Sequence, residues 1–217
     1  MTHKLIKNNM RKGILTLIFL LEWIALISQF YLNLHSQIAS PAETIIRYFS
    51  YFTLDTNLII ALLSTCLLLM PNSKIAAFFS KQATQTAVAI YIFIVGLIYN
   101  LVLRFIWDPQ GLQMLVDELL HVVNPVLFII YWILFSHQDQ LNWKIILYWL
   151  IYPFAYLLFV LIRANWTSFY PYPFLNVKTI GIQSVLLNCL GISLLFLVLS
   201  AIFLTWGNFI AKKNLLL

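Results

Sequence analysis

Six long apolar runs, separated by short polar connections, take up most of this chain of 217 residues. They cover about 13–32, 48–70, 84–106, 115–135, 144–162 and 182–206. Each has about the ~20 residues that a helix needs to cross a hydrocarbon layer of ~30 Å. Because lipid offers backbone N–H and C=O groups no partner, each run is predicted to be a membrane-spanning helix. The expected fold is all-α: six transmembrane helices in one bundle that forms a single domain over residues 1–217.

The composition supports this assignment and excludes a soluble fold. The chain is 62% hydrophobic and only 9% charged. This chain has too few charged side chains to cover the surface of a soluble domain of its size. Two cysteines, Cys66 and Cys189, lie inside predicted spans, where they are expected to act as small apolar side chains.

The distribution of positive charge predicts the orientation. Four basic residues fall in connections or near span ends on one side of the predicted bundle: Arg47, Arg104, Arg163 and Lys178. The other nine fall on the opposite side: Lys4, Lys7, Arg11, Lys12, Lys74, Lys81, Lys144, Lys212 and Lys213. Basic connections stay in the cytoplasm, so both termini are predicted to be cytoplasmic. The net charge of +6 then needs no nucleic-acid partner, and membrane lipids are the expected partners.

Polar residues inside the spans gather at one depth. In the predicted topology, the extracytoplasmic halves of five spans carry them, whereas the inner halves are mostly aliphatic or aromatic. Ionisable groups in a membrane are costly and usually face a bundle interior or a watery cavity. One polar pocket open to the extracytoplasmic face is therefore expected, lined by Thr53, Asn57, Asn100, Arg104, Asp117, Glu118, His121, Asn124 and Arg163.

Helical spacing suggests how these residues are grouped. Residues three and four apart share a helix face. This rule places Thr53, Thr56 and Asn57 on one stripe and directs Asp55 elsewhere. It also places His121 on one face with Asp117, Glu118 and Asn124. A histidine oriented by a carboxylate is the usual arrangement of a general base.

Asn100 and Arg104 share a face of the third span, and Gly96, one turn deeper, leaves room for close approach.

Simpler interpretations stay open for most of these positions. Arginines at span ends commonly extend to lipid headgroups, and asparagines in spans commonly join helices. Glu22 is unusual for its depth, and either an arginine partner or a proton would account for it. The other histidines have no metal-ligand spacing with His121, so no metal is expected; they are His3, His35 and His137. The chain also has no phosphate-binding loop or nucleophile elbow, and no cofactor is expected.

Four sequence blocks resemble the bacterial Pr6Pr family of six-span membrane proteins. They are Tyr51–Asn57, Val95–Arg104, Asp117–Pro125 and Phe169–Leu175, in that order along the chain. The resemblance implies a six-helix fold in a bacterial plasma membrane.

The chain is more remotely similar to the androgen-induced and androgen-dependent six-span membrane proteins, intramembrane hydrolases of fatty acid esters of hydroxy fatty acids. Their threonine nucleophile follows Tyr-Leu, as Thr53 follows Tyr51-Phe52 here. Their histidine stands four residues before a proline, as His121 stands before Pro125. The next asparagine comes one residue later in this chain, so Thr56 competes with Thr53 for the nucleophile's role.

Two functions from different classes follow. In the first, a lipid-facing hydrolase, Thr53 attacks an ester, His121 takes the proton and Asp117 or Glu118 orients the ring. The other residues of the predicted pocket contact the substrate, and among them Arg104 and Asn100 hold a carboxylate or oxyanion. In the second, a binding or transport protein, Arg104 and Arg163 capture an anionic lipid or small molecule without a covalent step.

Overall fold

The computed structural model describes residues 2–136 and 139–214, and the side chains of 5–136 and 139–213. His137 and the His3 side chain therefore lie outside the described residues. Within the described part, the chain forms helices and no strand. Six helical stretches are long and apolar enough to cross a membrane: Leu5–His35, Phe52–Leu69, Gln82–Phe105, Leu112–Phe135, Ile145–Thr167 and Val177–Lys213. The all-α, six-span fold predicted from the sequence is thus confirmed.

Ten α-helices make up these stretches and their connections in the described residues. In chain order they are α1 (Thr2–His35), α2 (Pro41–Tyr48), α3 (Phe52–Leu69), α4 (Lys74–Ser80), α5 (Gln82–Leu101), α6 (Leu112–Glu118), α7 (Asn124–Phe135), α8 (Ile145–Trp149), α9 (Ile151–Thr167) and α10 (Val177–Asn214). A π-helical turn, Leu119–Val123, joins α6 to α7. Short 3₁₀ turns cover Leu103–Phe105 and Pro173–Leu175, and Gly181 interrupts α10 with a φ of 77°.

The chain divides into two compact units. Unit 1 comprises 1–140 with 207–217, and unit 2 comprises 141–206. In unit 1, α1 packs against α3 and α7, and α5 packs against α3 and α7. Residues of α1, α2, α3, α6 and the π turn form a buried apolar cluster, which comprises Ala25, Leu26, Tyr48, Leu54, Ala61, Val116 and Leu120. The single domain predicted from the sequence stays a prediction.

The second predicted span includes the end of a separate short helix. The apolar run from 48 was assigned to one helix, but α2 ends at Tyr48 and α3 begins at Phe52. Ser40 caps α2 by accepting a hydrogen bond from the Glu43 amide. The Tyr48 hydroxyl donates to the Leu26 carbonyl of α1 at 2.9 Å, which ties α2 to α1. Burial, and then the nearby Asp55 carboxylate, raise the pKa of the Tyr48 phenol.

Candidate functional site

The π-helical turn before Pro125 determines the local structure around His121. Proline has no N–H to donate, and its ring crowds the carbonyl four residues earlier. At this position that carbonyl belongs to His121. The chain accommodates the proline with a wider turn, in which the Asn124 N–H donates to the Leu119 carbonyl five residues back. The carbonyls of Leu120 and His121 are consequently available to other donors.

Asparagine side chains from two neighbouring helices donate to these carbonyls. Asn57 of α3 places its amide nitrogen 3.3 Å from the Leu120 oxygen. Asn100 of α5 places its amide nitrogen 3.4 Å from the His121 oxygen, a long contact. Each amide also donates within its own helix, to Thr53 O at 2.7 Å and to Gly96 O at 2.8 Å, respectively. The π turn is therefore bonded to α3 and to α5.

Gly96 allows α5 to approach the turn closely. A Cβ at this position would lie 3.1 Å from the His121 carbonyl oxygen and 3.4 Å from Cβ of Pro125. The first distance is shorter than nearly all contacts that real Cβ atoms make. The room expected at Gly96 from the sequence is thus present, and the backbone of the turn occupies it.

The His121 ring is held by a backbone carbonyl and an aromatic ring. Its Nδ1 lies 2.9 Å from the Asp117 carbonyl oxygen. Because a carbonyl only accepts, Nδ1 carries the proton in this contact, and Nε2 of the neutral ring is then an acceptor. The ring stacks on Tyr99 of α5 with centroids 3.9 Å apart and planes 11° apart. His121 thus has the tautomer and the fixed orientation that a general base requires.

A carboxylate was expected to orient this ring, and that expectation is wrong. The Asp117 side chain is buried and binds elsewhere: Oδ2 accepts from Trp107 Nε1 at 2.6 Å, and Oδ1 accepts from Gln113 Nε2 at 2.9 Å. Gln113 Nε2 also donates to Gln29 Oε1 of α1 at 2.8 Å. The Asp117 carboxylate therefore joins α6 to the segment after α5, and it also bonds to Gln113, the residue of α6 that contacts α1.

Glu118, the other candidate, forms an ion pair with Arg104. Arg104 Nη2 lies 2.7 Å from Glu118 Oε1, and both side chains are 39% exposed. Arg104 Nε also donates to Asn100 Oδ1 at 3.0 Å, and the guanidinium carbon lies 5.1 Å from the Tyr99 ring centroid. A ligand carboxylate at Arg104 would have to replace Glu118 or share the guanidinium with it.

The three polar residues that the spacing rule places on one stripe of α3 are all buried. Thr53, Thr56 and Asn57 are at most 7% exposed, whereas Asp55 is only half-buried. The Asn57 amide donates to the Thr53 carbonyl and to the Leu120 carbonyl. It therefore links the backbone of the predicted nucleophile to the backbone directly before the predicted base, His121.

Two predicted site residues have surroundings that differ from those of His121. Asn124 is buried, and its side-chain amide lies near the Glu22 carboxyl of α1. Arg163 belongs to unit 2, where its guanidinium carbon lies 4.8 Å from the Phe169 ring centroid. The contacts of Arg163 within unit 2 give no information on a pocket shared with the other predicted residues, which belong to unit 1. The single pocket predicted from the sequence therefore stays a prediction.

Sequence reasoning missed three residues that support the site: Tyr99, Trp107 and Gln113. Tyr99 and Gln113 had weak signals, since they lie next to Asn100 and four residues before Asp117. No sequence signal connects Trp107 to Asp117, because that contact depends on how the connection after α5 folds back.

Among the described residues, no group of three or more His, Cys, Asp or Glu side chains could hold a metal ion. No family model, curated protein or solved structure matches the chain. The two family resemblances therefore stay predictions.

Proposed function

We propose that this multi-pass membrane protein is an intramembrane hydrolase of acyl esters, with His121 as its general base. The observation that carries the proposal is the state of the His121 ring. Nδ1 is held by the Asp117 carbonyl, the ring is stacked on Tyr99, and Nε2 is left with its lone pair. A base with this geometry typically contributes a factor of about 10² to 10⁴ to a rate.

Thr53 is the proposed nucleophile. Asn57 supports this choice, because its amide bonds both the Thr53 carbonyl and the carbonyl of the residue before His121. Thr56, one residue before Asn57 and also buried, is the competing nucleophile. The more remote family resemblance favours Thr53, since that threonine follows the matching aromatic pair.

The reaction proceeds in two steps whose atoms balance. The Thr53 hydroxyl transfers its proton to His121 Nε2 as its oxygen attacks the ester carbonyl carbon. The resulting imidazolium returns the proton to the departing alkoxide, which leaves an acyl-threonine and a free alcohol. Water then attacks the acyl carbon with His121 again as base, releasing the fatty acid and restoring Thr53.

Arg104 provides the site for an anionic group of the substrate. Its guanidinium is fixed by Asn100, lies against Tyr99 and is partly exposed. Guanidinium groups bind carboxylates with two parallel hydrogen bonds, so an ester that carries a free carboxylate is the preferred substrate class. In this proposal, the substrate carboxylate displaces Glu118 from Arg104.

The same Arg104 arrangement favours a second function without chemistry. A protein that binds or transports an anionic lipid or small molecule needs the guanidinium but not the lone pair of His121. In this function, the anionic ligand replaces the Glu118 carboxylate at Arg104, and Glu118 returns when the ligand leaves.

One set of variants distinguishes the two functions. We expect His121→Ala and Thr53→Ala to lower turnover of a long-chain ester by at least about 10²-fold in detergent, with Thr56→Ala milder. Asn188→Ala, in unit 2, is the control; its amide holds the Phe174 carbonyl at 2.9 Å. An alkyl fluorophosphonate should label Thr53 in the unmodified protein.

Thermal unfolding of the same variants separates chemistry from folding. Losses of activity that follow thermal stability and are equal in Asn188→Ala would contradict the catalytic roles. Full activity in both threonine variants would exclude the threonine mechanism. Binding of a carboxylate ligand that Arg104→Gln abolishes, without any turnover, would instead support the binding protein.

A further inference from the structure

Glu22 is an acidic side chain that neither proposed function uses. It lies near the middle of α1 and is 0% exposed. Neither of its carboxyl oxygens has a hydrogen-bond partner, and the described residues provide no ion pair to it. A buried carboxylate without a partner is far more costly than a neutral buried acid. This position therefore needs a chemical explanation.

The polar neighbour of Glu22 is Asn124 of α7. Asn124 is 1% exposed, and its amide nitrogen and oxygen also have no hydrogen-bond partner. The Asn124 amide lies near the Glu22 carboxyl, but the two side chains form no hydrogen bond of ordinary geometry. A neutral acid and an amide are complementary, since each has one donor and one acceptor to offer the other. A carboxylate offers only acceptors and would leave the Asn124 oxygen without a donor.

Ionisable groups on the surrounding helices have other positions or partners. The nearest basic residues of α1 are Lys12, ten residues before Glu22, and His35, thirteen residues after it, which lie about 15 Å and about 20 Å from Glu22 along the helix axis. On the elements packed against α1, the described titratable or charged side chains are Glu43, Arg47 and Tyr48 of α2, Asp55 and Cys66 of α3, Asp117 and Glu118 of α6, His121 of the π turn, and Tyr131 of α7.

Most of these groups have bonds that direct them away from Glu22. Arg47 pairs with Glu43 at 2.8 Å, and Glu118 pairs with Arg104. Asp117 accepts from Trp107 and Gln113, as described above, and the Tyr131 hydroxyl accepts from Arg11 Nε at 3.3 Å. No cation in this set neutralises the Glu22 carboxyl.

We propose that Glu22, with Asn124, is a proton-binding site inside the membrane, and that its carboxyl exchanges this proton. Protonation provides the donor that the Asn124 oxygen lacks and removes the charge that burial opposes. The site adds to the proposed hydrolase and does not depend on it, because no step of ester cleavage involves Glu22.

A lipophilic carbodiimide reports this state by covalent modification. The carboxyl proton moves to a carbodiimide nitrogen while the carboxyl oxygen adds to the central carbon. Transfer of the acyl group to nitrogen then gives a stable N-acylurea, so the side chain gains one whole reagent molecule and nothing leaves. An ionised carboxylate lacks the proton that starts the reaction.

The experiment uses the full chain in proteoliposomes treated with dicyclohexylcarbodiimide between pH 5.5 and 9.5, followed by peptide mass spectrometry. We expect one reagent molecule on Glu22, with labelling that falls at least tenfold as pH rises and is unchanged by 100 mM Na⁺. Glu22→Gln should lose the label. Asp55→Asn is the matched control, since it removes another carboxyl within a span, and it should keep the label.

Three outcomes would overturn the proposal. They are absence of label on Glu22 of the unmodified protein at every pH, labelling that does not change with pH, and protection by Na⁺ at constant pH. The last would assign the site to a metal cation. Mapping the label on the unmodified protein decides the matter even where Glu22→Gln fails to fold.

Discussion

The Asn57 amide should stabilise the fold specifically because Pro125 withholds a backbone donor from the turn before it. We predict that Asn57→Leu destabilises the protein more when Pro125 is present than when it is alanine. With alanine at 125, the turn gains an N–H. Leu120 O then has a backbone donor in either geometry: residue 125 in a π turn, or Asn124 in a regular α-helix.

The expected coupling follows from the contact and from what is left unpaired. Asn57 Nδ2 lies 3.3 Å from Leu120 O, and Asn57 is 0% exposed, so no water replaces the amide. Leaving a buried acceptor unsatisfied costs about 1–3 kcal/mol, whereas hydrogen bonds between membrane helices average about 0.6 kcal/mol with a maximum of about 1.7. We therefore expect a coupling of about 1 kcal/mol, or about fivefold in the unfolding equilibrium.

A double-mutant cycle isolates this term. The unpaired Asn57 Oδ1 is lost in both backgrounds, so its contribution cancels. Reversible unfolding of the four proteins in mixed micelles, followed by tryptophan fluorescence, gives the four free energies. An Asn57→Leu penalty that is equal within about 0.3 kcal/mol in the two backgrounds would refute the link between this amide and the proline.

Two further predictions concern packing and orientation. Gly96→Val should destabilise the protein by about 1–3 kcal/mol, because its Cβ would lie 3.1 Å from the His121 carbonyl oxygen. Gly191→Val is the control and should cost little, because a Cβ at this helical glycine has nothing within 4 Å. Equal free energies of unfolding for the two variants would contradict the close approach at Gly96. Protease-cleavable tags at both chain termini should be protected in intact cells and cleaved after permeabilisation, since the distribution of basic residues predicts that both are cytoplasmic. Cleavage of either tag in intact cells would exclude that topology.

The spans were predictable because a helix in lipid must be long and apolar, a property that the sequence displays directly. Their ends were less predictable. The last span, expected over 182–206, begins directly after the interruption at Gly181, but its helix continues past 206 to Asn214, since polar side chains at helix ends do not stop a helix. Conversely, the chain turns between Tyr48 and Phe52 although this segment contains no charged residue, proline or glycine. Tertiary contacts such as the Tyr48 hydroxyl bond to α1 decide such ends.

The grouping of the site residues could be predicted from the sequence only where the helix is a regular α-helix. The stripe of Thr53, Thr56 and Asn57 lies on a regular helix, where the spacing rule applies, and all three residues are buried. Around His121 the sequence does not reveal the π turn or the Asp117 backbone carbonyl that holds the ring. The place of Asn124 in the site stays a prediction. Pro125 signals some irregularity, but its form depends on which donors the neighbouring helices bring.

Pro125 also limits how the helices of unit 1 can slide against one another. The two carbonyls that it releases are bonded by side chains of α3 and α5, at fixed positions along each helix. Shifting either helix by one residue would move its amide by about 1.5 Å along the axis and about 100° around it, away from its carbonyl. In an apolar medium, where aliphatic packing distinguishes neighbouring registers only weakly, this pair of bonds makes one register preferable to the others. A single proline in one helix thereby specifies the alignment of two more.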